Sequence, residues 1–234
     1  MTDEGVTDAA PGHAPRQDTA ELRGLVIDWG GVLTSGLEDS MGAWAADCGI
    51  DLAAFDAVLR EWLGADAAAL AEVNPVHALE RGEMEVPLFE QRLAEAMQAR
   101  SRCEVEPAGL LNRMFDYFEH APDMAGLVRR ARAGGLRTAL LSNSWGNAYP
   151  REGWASMFDA VVISGEVGMR KPEPRIYRHT CDLLGLEPHE CVFVDDLPSN
   201  VRAAVDLGMV GVHHVSYDAT APELEVLFGR RLRG

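Results

Sequence analysis

Six polar side chains stand where apolar runs of this sequence end. Asp28 follows "LVI", Ser142 and Asn143 follow "TALL", Ser164 closes "AVVI", and the pair Asp195 and Asp196 lies at the end of "CVFVDD". Lys171, in "MRKPEP", is the single lysine of the chain, so the other non-histidine basic side chains are all arginine. Each residue alone has an ordinary explanation: Ser and Asn end strands and cap helices, and an Asp pair ahead of Pro198 reads as a helix N-cap. Three carboxylates gathered at one edge are another matter. They repel unless a cation lies between them, and hard oxygen ligands with no Cys or His nearby favour Mg²⁺. Gly30 and Gly31, in "WGG" after Asp28, add backbone that lacks Cβ and can therefore present N–H groups closely to a phosphate.

Five short apolar runs must position these groups: 24–28, 137–143, 159–165, 191–196 and 209–214. Continuous runs of this length predict strands buried on both faces, as in a parallel sheet. The last four are joined by helix-sized segments such as 173–185 and 198–208, which predicts βαβ units and a doubly wound α/β core. The first connection departs from that pattern, because roughly 100 residues lie where a crossover takes a few tens. Within it, 52–64, 86–99 and 108–120 repeat apolar residues at helical spacing, and Pro75, Pro87, Pro107 and Pro122 suit helix starts. The expected organisation is a core formed by 21–34 and 122–234, with an all-helical unit, 35–121, inserted between them. Ligands of open parallel sheets bind beyond the carboxyl ends of the strands, where this unit emerges, so it is placed to act as a lid. Residues 1–20 carry Pro, Gly, Asp and Thr without periodicity and read as a disordered tail.

The chain has 234 residues and 47% apolar content, enough for a sizeable core. Its 21 basic and 37 acidic residues give a net charge of −16 with no basic stripe, which argues against nucleic acid or an anionic membrane as partner. The one basic cluster, "RRLRG" at 230–234, reads as a frayed, solvated terminus. Cys48, Cys103, Cys181 and Cys191 show no ligand spacing and read as small buried hydrophobes, implying neither zinc nor a disulfide framework. No apolar run approaches the ~20 residues of a membrane span and no signal-like start is present, so the expected location is cytoplasmic.

Taken together and in order, "LVIDWGGVLTSG", "LLSN", "MRKPEP" and "VFVDDLPSN" resemble the haloacid dehalogenase-like hydrolase superfamily, in its branch with a helical cap inserted after the first strand, over roughly residues 22–215. The resemblance implies that Asp28 is the nucleophile and forms an aspartyl-phosphate. Ser142 and Lys171 would hold the transferring phosphoryl group, with Asn143 and the Gly31 backbone beside them. Mg²⁺ would sit on Asp28, the backbone carbonyl of Gly30 and Asp196, with Asp195 assisting. Chemistry supports these roles without the family name: phosphoryl transfer is mostly positioning and charge stabilisation, and needs an in-line nucleophile, a divalent cation and a fixed positive group. Each is present once.

One position departs from the family pattern. Most phosphatases of the superfamily carry a second Asp two residues after the nucleophile, which protonates the leaving oxygen and later activates water; here that position is Gly30. General acid–base help contributes typically ~10²–10⁴ in rate, so its loss slows phosphoryl transfer without abolishing it. The dehalogenases of the superfamily vary at this position and need no such acid, but they do not depend on Mg²⁺, whereas "VFVDDLPSN" resembles an intact metal motif. Phosphonate-cleaving relatives need a cap lysine, which 35–121 lacks. Glu38 and Asp39, at the base of the inserted unit, offer a substitute acid, although carboxylates entering a helix also serve its dipole. His77, His213 and His214 are weaker candidates, and Trp44, Phe55, Trp62, Met114 and Phe118 fall at helical spacing that reads as core. The expected function is a Mg²⁺-dependent phosphomonoester hydrolase acting on a small phosphorylated metabolite. The alternatives are a 2-haloacid dehalogenase and a catalytically silent binding protein.

Overall fold

The computed structural model describes residues 21–63, 74–101, 103–146 and 149–234, with the side chains of 37–39 set aside. The expected tail at 1–20 and the side chains of Glu38 and Asp39 therefore lie outside the described residues. Five parallel strands, β1 (Gly24–Ile27), β2 (Arg137–Ser142), β3 (Ala160–Ile163), β4 (Cys191–Asp195) and β5 (Val210–His213), form one sheet in the order β3-β2-β1-β4-β5. Each coincides with one of the apolar runs. Alternation sends Leu25 and Ile27 of β1 to one face and Val26 to the other. On the first face they meet Leu127 and Val128 of α6 (Pro122–Ala133) and Leu224 of α10 (Tyr217–Phe228). On the second, Val26 and Phe193 pack with Ile176, Tyr177 and Leu184 of α8 (Pro174–Leu184) and Ala204 of α9 (Pro198–Asp206).

Between β1 and β2 come α1 (Leu37–Cys48), α2 (Leu52–Leu63), α3 (Pro75–Glu80), α4 (Val86–Gln98) and α5 (Leu110–Phe115), and α7 (Ser164–Val167) follows β3. Helices α1 to α5 bury a cluster of their own, built around Trp44, Phe55, Phe89, Leu93, Met97 and Met114. The chain enters and leaves them side by side: Thr34 and His120 form an antiparallel bridge, the Ser35 N–H donates to Glu119 C=O at 2.6 Å and the Ala121 N–H to Leu33 C=O at 2.9 Å. No helix among the described residues is long and apolar enough to cross a membrane.

Four sequence expectations need correction. The helix expected at 108–120 covers only Leu110–Phe115, because the chain then turns, with the Phe118 N–H on Phe115 C=O, to pair Glu119 with Ser35. Pro107 accordingly sits ahead of that helix rather than in its first turn. Residues 230–234 are not frayed: Leu232 is 1% exposed, and Glu225 accepts the N–H groups of Leu232 and Arg233, both at 2.8 Å, and the Arg233 side chain. Cys181 and Cys191 are buried as expected, but Cys48 and Cys103 are exposed.

Candidate active site at the carboxyl edge of the sheet

Strand register brings the chemical groups together. Ile27 of β1 is level with Val194 of β4 and Leu140 of β2, so one step further along the chain places Asp28 beside Asp195, with Ser142 just beyond on the other flank. The Asp28 N–H donates to Val194 C=O at 3.0 Å and keeps this pairing going past the strand end. Because the chain doubles back between β1 and β4 in the sheet order, the crevice lies at the switch point where such sheets bind ligands.

Lys171 is the hub. Its side chain is 1% exposed, and its Nζ donates to Asp28 Oδ1 at 2.8 Å and to Asp195 Oδ2 at 2.6 Å, with the Phe193 ring centroid 5.7 Å away. Asp195 Oδ1 also accepts the Leu197 N–H at 2.9 Å and the Asn200 Nδ2 at 3.0 Å, so this buried carboxylate is fully engaged in holding its neighbours. Asn143 accepts the Lys171 N–H at 2.8 Å and donates to the Lys171 C=O at 3.0 Å, which fixes the lysine backbone. Asp28 Oδ1 additionally accepts the Trp29 N–H at 2.7 Å.

Asp196 completes the acidic group: carboxylate oxygens of Asp28, Asp195 and Asp196 all lie within 4.8 Å of one another. Three carboxylates less one ammonium leave two negative charges in a largely buried place. The strain of that imbalance falls on the carboxyls. Burial pushes Asp28 up to about 8, with Asp195 and Asp196 adding and Lys171 opposing, and burial together with Asp195 pushes Asp196 up to about 6. Burial also opposes charge on Lys171, but Asp195 and Asp28 outweigh it and hold the ammonium above the ordinary lysine range. A hard divalent cation among these oxygens would cancel the two charges, so the donor set fits the Mg²⁺ that the sequence suggests.

The two glycines differ. Gly31 has φ +71°, and a Cβ there would lie 2.4 Å from Asp196 Oδ2, so its bareness makes room for that carboxylate. Its N–H is bonded to Thr34 Oγ1 at 3.0 Å, which occupies the group expected to face a phosphate. Gly30 has open space where a Cβ would go and no positive φ.

Above this floor is a cavity of about 160 Å³, walled by apolar side chains of the inserted helices and of the turn after α5, including Met41, Leu59, Met114 and Phe118. Of the aromatic and methionine residues read as core, Met114 and Phe118 thus also face the cavity, while Trp44 and Phe55 remain buried in the inserted helices. His213 donates to the Asp196 carbonyl at 2.9 Å, and His214 and Thr220 share a 2.8 Å bond away from the cavity.

Sequence reasoning missed Asn200, Tyr149, Glu80 and Arg81. Asn200 supports Asp195, five residues on. Tyr149 shares a 2.9 Å hydrogen bond with Ser142 Oγ and packs edge-on to Trp29 at 5.1 Å. Glu80, at the end of α3, is buried against Arg170 and accepts Trp145 Nε1–H at 3.2 Å, tying the inserted helices to the loop that carries Lys171. A second tie joins Arg81 to Glu173 at 3.3 Å. Of these four, only Asn200, in the quoted "VFVDDLPSN", lay in a stretch already singled out, although the partners Arg170 and Glu173 lie in the quoted "MRKPEP".

The chain belongs to the haloacid dehalogenase-like hydrolases, whose family profile it matches over residues 22–208. It is 36% identical over 113 residues to acyl-CoA dehydrogenase family member 10 of Mus musculus, a match covering 46% of this chain and 10% of that protein. It is 38% identical over 68 residues to N-acylneuraminate-9-phosphatase of Mus musculus, covering 29% of this chain and 27% of the relative. The chain therefore spans a small part of these relatives' lengths. Among solved structures, the Bacteroides thetaiotaomicron family enzyme bt-2542 in complex with magnesium and inorganic phosphate shares the fold, with a TM-score of 0.57, 20% identity and coverage of 83% of this chain and 94% of that one.

Proposed function

We propose that this hydrolase cleaves phosphate monoesters of small metabolites in a Mg²⁺-dependent reaction that passes through an aspartyl-phosphate on Asp28. The observation that carries the reading is the Lys171 ammonium shared between Asp28 and Asp195 while Asp196 stands within the same acidic group, at the floor of a cavity that the inserted helices wall. Mg²⁺, held by Asp28, Asp196 and the Gly30 carbonyl, would when bound offset the repulsion between these carboxylates and a phosphate dianion. Asp28 Oδ1 is oriented by Lys171 and the Trp29 N–H, which leaves its other oxygen to attack phosphorus. Lys171 and the Ser142 hydroxyl are the groups available to hold the equatorial phosphoryl oxygens. Asn143 and Asp195 act through Lys171, holding its backbone and its ammonium. Helices α1 to α5 serve as the lid: their apolar wall excludes water and selects substrates whose organic part is apolar. The phosphatase relative and the magnesium- and phosphate-bound neighbour point the same way.

The deciding experiment is a screen of phosphorylated metabolites for released phosphate, with Mg²⁺ and with chelator. Turnover confined to Mg²⁺ is expected. Turnover of 2-haloacids in chelator, with no phosphate released from any ester, would replace this reading with the dehalogenase one.

A further inference from the structure

Phosphate esters of alcohols leave as strongly basic alkoxides, so a site that cleaves them must supply a proton. Among the described residues lining the cavity, the side chains with an ionisable or hydroxyl group are Asp28, Glu80, Ser142, Tyr149, Lys171 and Asp196. Asp28 and Asp196 serve as nucleophile and cation ligand, and Lys171 is committed as an ammonium to two carboxylates. Glu80 is ion-paired to Arg170 and accepts from Trp145, so both of its oxygens are already engaged in holding the inserted helices to the Lys171 loop. Ser142 and Tyr149 remain, hydrogen-bonded to each other at 2.9 Å, and of the two a phenol is far more acidic than an aliphatic alcohol.

On this reading of the function, we infer that the Tyr149 phenol is the proton carrier of the reaction. As the bond from Asp28 to phosphorus forms and the bond to the leaving oxygen breaks, the electron pair goes to that oxygen and the Tyr149 proton follows it. The alcohol departs and leaves a phenolate bonded to the Ser142 hydroxyl. Water then attacks the phosphorus of the aspartyl-phosphate and gives a proton to the phenolate. The electron pair of the Asp28–phosphate bond returns to the carboxylate, and inorganic phosphate leaves. Tyr149 ends as it began.

The geometry suits a carrier. The ring is wedged edge-on between Trp29 at 5.1 Å and Trp154 at 5.7 Å, which fixes the hydroxyl beside the strand end that carries Ser142. Burial, aided by the nearby Asp28 charge, pushes the phenol up to about 12, so it is protonated at neutral pH yet more acidic than an alcohol leaving group. Gly30, which lines the same cavity with open space over its Cα, carries no acid that would make Tyr149 redundant.

The test is kcat/KM across a series of alkyl and nitro-substituted aryl phosphates for the unmodified protein and for Tyr149→Phe, which keeps the ring. The unmodified protein should depend weakly on leaving-group basicity. Tyr149→Phe should lose ~10²–10⁴ on alkyl phosphates and less than ~10-fold on the activated aryl esters. Adding Gly30→Asp to Tyr149→Phe should restore part of the alkyl activity. A parallel fall on both ester classes, or none, would overturn the role, since a packing or binding defect does not discriminate by leaving group. A steep leaving-group dependence in the unmodified protein overturns it without any variant. Absence of turnover on every ester with Mg²⁺ in the unmodified protein instead removes the phosphatase reading and this inference with it.

Discussion

The side chain of Asn143 grips the backbone of Lys171 at both ends, accepting its N–H at 2.8 Å and donating to its C=O at 3.0 Å. The end of β2 thereby dictates where the lone ammonium of the site stands. Asn143→Ala should lower kcat/KM by ~10–10², mostly in kcat, because the lysine is displaced although no group that touches substrate is removed. It should also cost about 1–3 kcal/mol in urea unfolding, the penalty of leaving buried partners unpaired.

Asp28→Asn should abolish turnover and yet melt higher than the unmodified protein in chelator near pH 7.5. The Asp28 carboxyl sits at about 8 against an ordinary value of 3.8, so the native state disfavours its charge. Its destabilising effect is absent below the ordinary value and grows as pH rises toward 8. An amide escapes it, and a gain of at least ~2 °C is expected, the response to about 1 kcal/mol in a chain of this size. Calorimetry at pH 4 and 7.5 checks the sign, since the gap should close at the lower pH and also on adding Mg²⁺.

Lys171→Met should be among the most destabilising single changes, by about 3–5 kcal/mol, because it leaves the buried carboxylates of Asp28 and Asp195 without their counter-charge. Denaturant unfolding measures the loss. Millimolar Mg²⁺ should recover part of it, and Lys171→Arg should fail to substitute, since a guanidinium is bulkier than an ammonium and the Lys171 side chain is almost fully buried.

Adjacent glycines should respond oppositely to the same small change. Gly31→Ala should weaken Mg²⁺ binding by ~10–100-fold by displacing Asp196, whereas Gly30→Ala should leave it within about 3-fold. Isothermal titration with Mg²⁺ distinguishes the two.

Chelation should remove activity and Mg²⁺ should restore it, with Asp196→Ala behaving as the chelated protein does even at saturating Mg²⁺. Phosphate release against metal concentration is the measurement. Full activity in chelator would contradict the assignment.

The sheet was legible because its strands are buried on both faces, so apolarity alone marks them; all five runs became strands within a residue or two. The groups at the strand ends were legible for the same reason, since a polar residue closing an apolar run has few other places to go. Helix ends were less so. The stripe at 108–120 continues past Phe115 because Phe118 packs inward from a turn, and periodicity does not distinguish a turn from a helix there. Pro222, inside α10, interrupts the helical signal that the fold overrides. Tyr149 and Glu80 were invisible for a different reason: each reaches the cavity from a segment with no chemical motif, and only the folded chain shows that Tyr149 meets Ser142 and Glu80 meets Arg170.

The bridge between Thr34 and His120 makes the helical insertion a detour whose two ends are already joined. The register of β1 with β2 and β4 runs from Gly24 to Ile27 and is complete before the detour begins. Exchanging the detour for a longer or shorter one alters closure entropy by only about 0.6 kcal/mol per doubling of length. The helices that wall the cavity can therefore change in length at little cost to the sheet, and beyond the bridge what ties them to it includes the pairing of Glu80 with Arg170 and of Arg81 with Glu173.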